Sequence, residues 1–478
     1  MKATSGVEDP QVRRARGPAR VPQKGQDTQI GVARPVRTLE LVEPTVTIPA
    51  PDPLREITLG GCACVQIWVE GGVSSQGVVS SRRRGRGTMK VVGLEWRRVR
   101  VPLRKVVKHA SHARAESENL IVSARLDSGA VGHGEGIPRP YVTGETLETA
   151  FEMLRGWDLD RQLGAPSSFE EAVDRLANLE TPARAADPRG AFGNAARCAL
   201  EMALLEAFAR GFDRSIGEAL VRMAPPEAGL RLNPTTVRYS GAITAEGVWA
   251  ERIAAWKMRL YGFHQVKVKV GVVGQNDPER LRRFRRILGK TCDLRIDANE
   301  AWDVSQVEER AQALVPFGPT ALEQPVPHAQ VEVLAQLRPR LGIPVMLDES
   351  LCGWGDAVKA VELGLTDLFN VRLSKCGGIG PSLALIGLAK RSGLGVQLGC
   401  HPGETGLLSA AGRQVATRIA DLRYLEGSYD RHVLAANPIR QDITFGYGGR
   451  AEPLEGPGWG VDLDSETLER MTLDRESW

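Results

Sequence analysis

Two lysines one residue apart, Lys267 and Lys269, are followed by three acids, Asp297, Glu323 and Asp348, and then by Lys375 ahead of Gly377-Gly378. Ammonium groups that can pass protons, beside carboxylates that can hold a hard cation through oxygen, are the parts of a metal-assisted carbanion site. Each falls at the end of a short apolar run: FHQVKVKV, CDLRIDAN, PTALEQP, IPVMLDES and LFNVRLSKCGG. From Lys269 onward the gaps are 28, 26, 25 and 27 residues. That is the pitch of one strand plus one helix in a (β/α)8 barrel, whose chemistry collects at the C-terminal strand ends. Three carboxylates from three successive strands can face one cavity and hold one divalent cation, with Mg2+ the natural occupant.

The elements that must position these residues follow from the same pattern. Barrel strands one to eight are expected at TTVRYSGAI, HQVKVKV, DLRIDA, TALEQP, PVMLDE, LFNVRLSK, GVQLGCH and DLRYLEGS, with helical segments such as PERLRRFRRILG and GPSLALIGLAKRSG between them. Side chains alternate along a strand, so Lys267 and Lys269 point to one side, the barrel mouth. Like-charge repulsion, a nearby Mg2+ and partial desolvation are all expected to lower the lysine pKa toward working pH. Strands two and six stand opposite each other in an eight-membered ring, and the strands bearing the acids fill the arc between. A carboxylate bound from that arc would present its α-carbon to Lys269 on one face and Lys375 on the other. The cation would stabilise the enediolate as it develops.

These motifs resemble the enolase superfamily, and within it the muconate lactonizing enzyme (muconate cycloisomerase) subgroup of the mandelate racemase/muconate lactonizing enzyme family. The carriers are Lys267-Val268-Lys269, Asp297-Ala298-Asn299, Glu323-Gln324-Pro325, Asp348-Glu349-Ser350 and Lys375-Cys376-Gly377-Gly378, over roughly residues 89 to 465. The resemblance implies an α/β fold: a modified (β/α)8, or TIM, barrel with an α+β capping domain. It implies Mg2+ as cofactor, with Mn2+ as a substitute, on Asp297, Glu323 and Asp348. It also implies that Lys269 transfers the proton with Lys267 in support, and that Glu404 in HPGETG touches the metal site or the lysines. A homo-oligomer built through the barrels is the expected assembly.

Other residues bear on the substrate. Asn299 shares the strand face of Asp297 and is expected to orient a ligand. His401 follows strand seven, where the mandelate racemase branch has a base paired with a strand-six aspartate; Lys375 occupies that end of strand six here, so His401 is read as a buried histidine beside the substrate. Two cap loops are expected over the mouth. One spans 104 to 114 and is unusually basic, either to meet an anionic distal group or as a solvated charge run. The other spans 138 to 144, with Tyr141 placed to pack on substrate. Dipeptide epimerases of the family carry Asp-x-Asp on strand eight to grip an ammonium; this chain has Glu426-Gly427-Ser428, one carboxylate, so Glu426 is a candidate for binding an amino group while the dipeptide reading is weakened.

The expected activity is therefore that of a Mg2+-dependent isomerase removing the proton α to a carboxylate through an enediolate. A racemase or epimerase of an amino-acid derivative and a muconate-type cycloisomerase both fit. The alternative is a lyase of the same superfamily, a dehydratase or an o-succinylbenzoate synthase-like enzyme. A binding module without catalysis predicts loss of the lysines or the metal acids, and none is missing.

Bulk properties set the frame. With 478 residues, 42% hydrophobic and 25% charged, the chain is an ordinary globular protein of two or three domains. No apolar stretch approaches the roughly 18 residues of a membrane span, and the N-terminus lacks an apolar signal core, so a soluble cytoplasmic protein is expected. The seven cysteines are odd in number and scattered apart from Cys62 and Cys64, which argues for free thiols. Residues 1 to 88 carry 13 Lys/Arg against 8 Asp/Glu, so the net charge of +4 leaves the remainder at −1. That basic segment lacks aromatic interleaving and reads as a tail of linker composition, an appended or misassigned leader, with no nucleic-acid or membrane role. The expected divisions are this extension at 1–88, cap and lead-in helices at 89–225, the barrel at 226–445, and a segment at 446–478 that returns to the cap. Glu201 and Glu206 in the lead-in helix are read as surface or cap-packing residues.

Overall fold

The computed structural model describes residues 87–108, 113–182, 187 and 189–478. The reading of the N-terminal extension therefore lies almost wholly outside the described residues, as do His109 to His112 of the basic cap loop.

The first three strands, β1 (Val91–Lys108), β2 (Ala113–Leu126) and β3 (Val131–Gly136), form an antiparallel sheet. Apolar alternation drives it. In β1 Leu94 and Trp96 are buried, then Val99 and Val101. The phase slips by one residue where the pairing with the C-terminal strand shifts register between Arg98 and Val99. On the other edge, β3 presents Gly132, Gly134 and Gly136 to helix α1 (Asn194–Phe212). A Cβ on these glycines would lie 2.2, 2.1 and 2.0 Å from the carbonyl oxygens of Ala203, Ala199 and Ala195. Period two in the strand meets period four in the helix, and only glycine permits that approach.

The barrel follows as eight parallel strands in sequential order. They are β4 (Gly241–Ile243), β5 (Gln265–Lys269), β6 (Asp293–Asp297), β7 (Ala321–Glu323), β8 (Val345–Leu347), β9 (Leu368–Val371), β10 (Gly395–Leu398) and β11 (Tyr424–Leu425). The first and last meet where Ser240 N–H donates to Leu425 O at 2.8 Å. All eight expected strands are present. The sixth is shorter than expected: it stops at Val371, and Lys375 sits on the turn before helix α2 (Ile379–Arg391). Helix α3 (Gly406–Ala416) follows β10, and the last strand, β12 (Thr472–Ser477), returns to pair antiparallel with β1. Among the described residues no helix is long and apolar enough to cross a membrane.

Buried carboxylates fasten the cap to the barrel. Glu201 and Glu206 of α1 are buried rather than at the surface. Glu201 accepts from the N–H groups of Ile379 and Gly380 at the start of α2, and Glu206 from His133 N–H and Trp459 N–H. From β3, Glu135 accepts from Thr405 N–H and Leu408 N–H at the start of α3, and from Asn119 Nδ2 on the neighbouring strand β2.

Gly134→Ala should lower stability by about 3 kcal/mol, because its new methyl meets backbone rather than a yielding side chain. Gly412→Ala, inside α3 with open space around its Cβ, should raise stability by up to about 1 kcal/mol. Thermal unfolding of both variants checks the contrast; equal effects would contradict it.

Candidate active site

The acids and lysines gather where the strands of one arc end. Lys267 and Lys269 alternate with buried Val266, Val268 and Val270 and so share one face of β5. Lys269 is in register with Asp297, and Asp297 with Glu323. Just past these positions the chain turns sharply through left-handed conformations, at Asn299 (φ 43°), Glu300 (φ 65°) and Gln324 (φ 36°). Strain of that kind collects where surrounding contacts over-determine the geometry. Gln324 shows how: its carbonyl accepts from Asp348 N–H and Ser350 N–H, and its amide donates to Ser350 Oγ and Val326 O. The loop bearing Asp348 is thereby pinned to the end of β7.

Charges pair in two connected chains. Lys267 Nζ stands 3.4 Å from both Asp297 and Glu323 and 2.9 Å from Glu426. Glu426 also accepts from Arg295 at 2.9 Å, and Arg295 donates in turn to Gln397. In the second chain Arg372 pairs with Asp348 and lies 3.8 Å from Glu323. Lys375, 1% exposed, donates to Asp348 Oδ1 at 2.9 Å and to the carbonyls of Asp348 and Asn370 at 2.6 and 2.9 Å.

Each group's pKa follows from this setting. For Lys269 burial dominates, aided by the charges of Lys267 and Arg372, and its pKa falls below the ordinary lysine value. For Lys267 and Lys375 burial pulls the same way but is outweighed by carboxylates: Glu323, Glu426 and Asp297 around Lys267, and Asp348 beside Lys375. Both are held protonated. The lowered pKa expected for the lysine pair therefore belongs to Lys269 alone, and the physical reason is the number of acids that reach Lys267. Burial, with the charge of Asp297, pushes Glu323 up to about 8. Asp348 is buried too, but Arg372 and Lys375 hold it well below the usual carboxylate range.

The remaining expected residues are distributed around this centre. Asn299 N–H donates to Asp297 Oδ1 at 3.0 Å, and its Nδ2 to Glu349 Oε1 at 3.4 Å. Glu404 accepts from His401 N–H at 2.6 Å, and burial pushes its carboxyl up to about 8. Together with Glu426 and Tyr239 it lines a small cavity between β10, β11 and α3. His401 is buried, and among the described residues its Nε2 has no hydrogen-bond partner. Burial and the charges of Arg372 and Arg139 keep that imidazole neutral. Tyr141 accepts from Arg114 at 3.1 Å and packs against the cluster of Val142, Ala191 and Cys352. Glu426 differs from expectation: its carboxylate is already matched by Lys267 and Arg295, so the structure gives it an interior charge-balancing place instead of an open grip for an ammonium.

Asp297, Glu323 and Asp348 offer an all-oxygen donor set, buried and joined edge to edge through shared cations, which is the chemistry a hard divalent ion takes. Among the described residues no three acids already stand in a ligand array. Lys267 bridges the first two and Arg372 the second two, so these cations would have to yield oxygens to a metal. The fit rests on donor type and adjacency. Sequence reasoning passed over Arg372, Arg295 and Gln324. Arg372 carried a signal, since Asn370 and Arg372 alternate along the run that leads to Lys375.

Comparisons with known proteins give the family and the fold. A model of the family described as enolase C-terminal domain-like matches residues 249–467. The chain is similar to the L-Lys-D/L-Arg epimerase of Methylococcus capsulatus, 30% identical, covering 78% of this chain and 99% of that one. It is also similar to the hydrophobic dipeptide epimerase of Enterococcus faecalis, 27% identical, over 80% and 96% of the two chains. Among solved structures it resembles the dipeptide epimerase of Cytophaga hutchinsonii complexed with Mg and the dipeptide D-Ala-L-Val. That likeness has a TM-score of 0.66 at 25% identity, over 81% and 99% of the chains.

The charge chains make a direct stability prediction. Glu426→Ala leaves Lys267 and the fully buried Arg295 short of a counter-charge, which should cost about 3–5 kcal/mol in urea unfolding. A loss below about 1 kcal/mol would mean that Glu426 does not balance them.

Proposed function

The chain belongs to the enolase superfamily and is an isomerase, and from that premise we propose that it racemises or epimerises an amino-acid derivative by moving the proton α to a carboxylate. The observation that carries the reading is the opposite protonation bias of two lysines at one acid cluster. Lys269 on β5 has its pKa lowered by burial, so it gives up its proton more readily than an ordinary lysine and can serve as the base. Lys375, beyond β9 and on the far side of the ring, is held protonated by Asp348 and can give one. Removal by one lysine and return by the other inverts the α-carbon, and the reverse direction exchanges their roles. Lys267, fixed by three carboxylates, supplies positive charge near Lys269 and is not itself the base. Most of these side chains are buried, so the proton is shielded from bulk water.

Asp297, Glu323 and Asp348 would hold Mg2+, with Mn2+ as a substitute. When bound, that ion would neutralise the charge that builds on the substrate carboxylate. Asn299 orients Asp297 and Glu349, and Glu404 and His401 close the side of the site beneath β10. The likeness to the L-Lys-D/L-Arg epimerase and to the hydrophobic dipeptide epimerase supports the epimerase reading over the muconate-type one.

Incubation with Mg2+ in D2O, across N-acyl amino acids, dipeptides and muconates, tests the reading. Deuterium should enter the α-position of an amino-acid derivative with the product mass otherwise unchanged. A product lighter by one water would make the protein a lyase. The exchange rate should rise with pH through a value below 10.5, as Lys269 loses its proton while Lys375 keeps its own. A rate that falls across that range would contradict the assignment of Lys269 as base. Asp348→Ala should abolish Mg2+ binding measured by calorimetry; unchanged affinity would remove Asp348 from the ligand set.

A further inference from the structure

The barrel helix between β4 and β5, Val248–Leu260, has two apolar sides. One packs inward, where Ala255 is buried and Met258 lies against the core. On the other, Trp249, Ile253, Trp256 and Leu260 are 73, 55, 47 and 71% exposed. At about 100° per residue these four fall within an arc of about 60°, opposite Met258. Single apolar residues on a surface need no explanation, but two tryptophans, an isoleucine and a leucine aligned over about three helical turns mark a contact surface.

The charges beside the stripe all have one sign. Arg252 and Arg259 line one edge and Lys257 the other. The Arg252 guanidinium lies over the Trp249 ring at 4.9 Å from its centroid, and that of Arg259 over the Trp256 ring at 5.6 Å. The one acid of the helix, Glu251, is turned inward to Arg280 and Arg283 at 2.6 and 2.9 Å. On the next helix, Asp277–Leu288, Arg282 and Arg286 are exposed as well, and the exposed acid Glu279 is paired with Arg283.

Spacing and charge together select the occupant. Steps of four, three and four residues are those of the a and d positions of a heptad, so the stripe is a seam for one further helix, with Arg252, Lys257 and Arg259 at the flanking e and g positions. A second copy of the chain docked stripe to stripe sets these cations against one another, whether the two helices run parallel or antiparallel. An arc this narrow is a seam rather than the broad apolar face that sinks into a bilayer. A helix with acidic flanks meets both requirements, and exposed Trp and Arg side chains are the types that anchor interfaces.

We propose that Val248–Leu260 docks an amphipathic helix of a partner protein, one with apolar residues at heptad spacing and Asp or Glu along both edges. The contact is of the small, transient class, because one helix seam buries less than a standard interface. It is independent of the reaction assigned to the barrel mouth.

The test uses the full chain and two synthetic peptides of about four heptads, alike in Ile and Leu at a and d but with Glu in one and Lys in the other at every e and g position. Fluorescence anisotropy of labelled peptide should show the acidic one binding with a Kd on the order of 1–100 μM and weakening as NaCl rises from about 50 to about 300 mM, and the basic one binding at least about tenfold more weakly. Ile253→Asp, at an exposed position, should abolish binding of the acidic peptide. The triple variant Arg252→Glu, Lys257→Glu, Arg259→Glu should reverse the preference, a result that loss of folding cannot mimic. Equal binding of both peptides, binding of neither, or acidic-peptide binding that survives Ile253→Asp overturns the proposal. Two further outcomes overturn it by naming a different occupant. Concentration-dependent self-association in sedimentation velocity that Ile253→Asp removes assigns the stripe to a second copy. Cosedimentation with vesicles of three parts phosphatidylcholine to one part phosphatidylglycerol, again removed by Ile253→Asp, assigns it to a lipid surface.

Discussion

Carboxylates cannot remain charged inside a barrel unless cations meet them, and this protein places Asp297, Glu323, Asp348 and Glu426 at one end of its ring. Lys267, Arg295, Arg372 and Lys375 are the answer to that constraint. Their geometry fixes the rest of the site. Because Lys267 and Lys375 are consumed by this pairing they stay protonated, while Lys269, two residues along the same strand face, is left under the opposing influence of burial and positive neighbours. Functional asymmetry between chemically identical side chains thus arises from how closely acids pair with each one: Asp348 at 2.9 Å is enough to hold Lys375 protonated, whereas the charges of Asp297 and Glu349 do not outweigh burial at Lys269.

The cap is joined to this centre by a strand with two differently committed faces. Glycines at alternate positions of β3 admit α1 to backbone contact, and Glu135 between them points the other way to the start of α3. The turn before α3 carries His401 and Glu404, and it is touched from the cap by Ser117 and Asn119. Any shift of the cap sheet is therefore transmitted to the wall of the site beneath β10. Burial, with the neighbouring charge of Glu135, also keeps Glu404 largely protonated near neutral pH, which suits a group that closes a cavity without adding charge.

Much of this was legible in the sequence because strand ends repeat at a fixed pitch, and five such ends carried charged residues in apolar surroundings. Apolar runs placed all eight barrel strands, and the alternation of Lys267 and Lys269 gave their shared face. The end of β9 was misplaced because the apolar alternation of Val371 and Leu373, both buried, runs on past the strand into the turn. Long-range pairing was not legible: nothing local in DLRIDA shows that Arg295 reaches Glu426, or that Arg372 reaches Asp348. For the same reason Glu426 looked like an open carboxylate, and the choice between surface and cap packing for Glu201 and Glu206 stayed open: besides Arg197 and Arg210 one helical turn away, both accept from backbone N–H groups more than 70 residues away in sequence.

The central claim is that Lys269 and Lys375 address opposite faces of one α-carbon. Its most direct test is hydrogen exchange in D2O, resolved by enantiomer, for Lys269→Ala and Lys375→Ala with a substrate that the wild type turns over. Each variant should lose racemisation or epimerisation by about 10²–10⁴-fold while still exchanging the α-proton of one stereoisomer, and the two variants should show mirrored preferences. Near-normal turnover in both variants, or the same stereoisomer exchanged by both, would contradict the account.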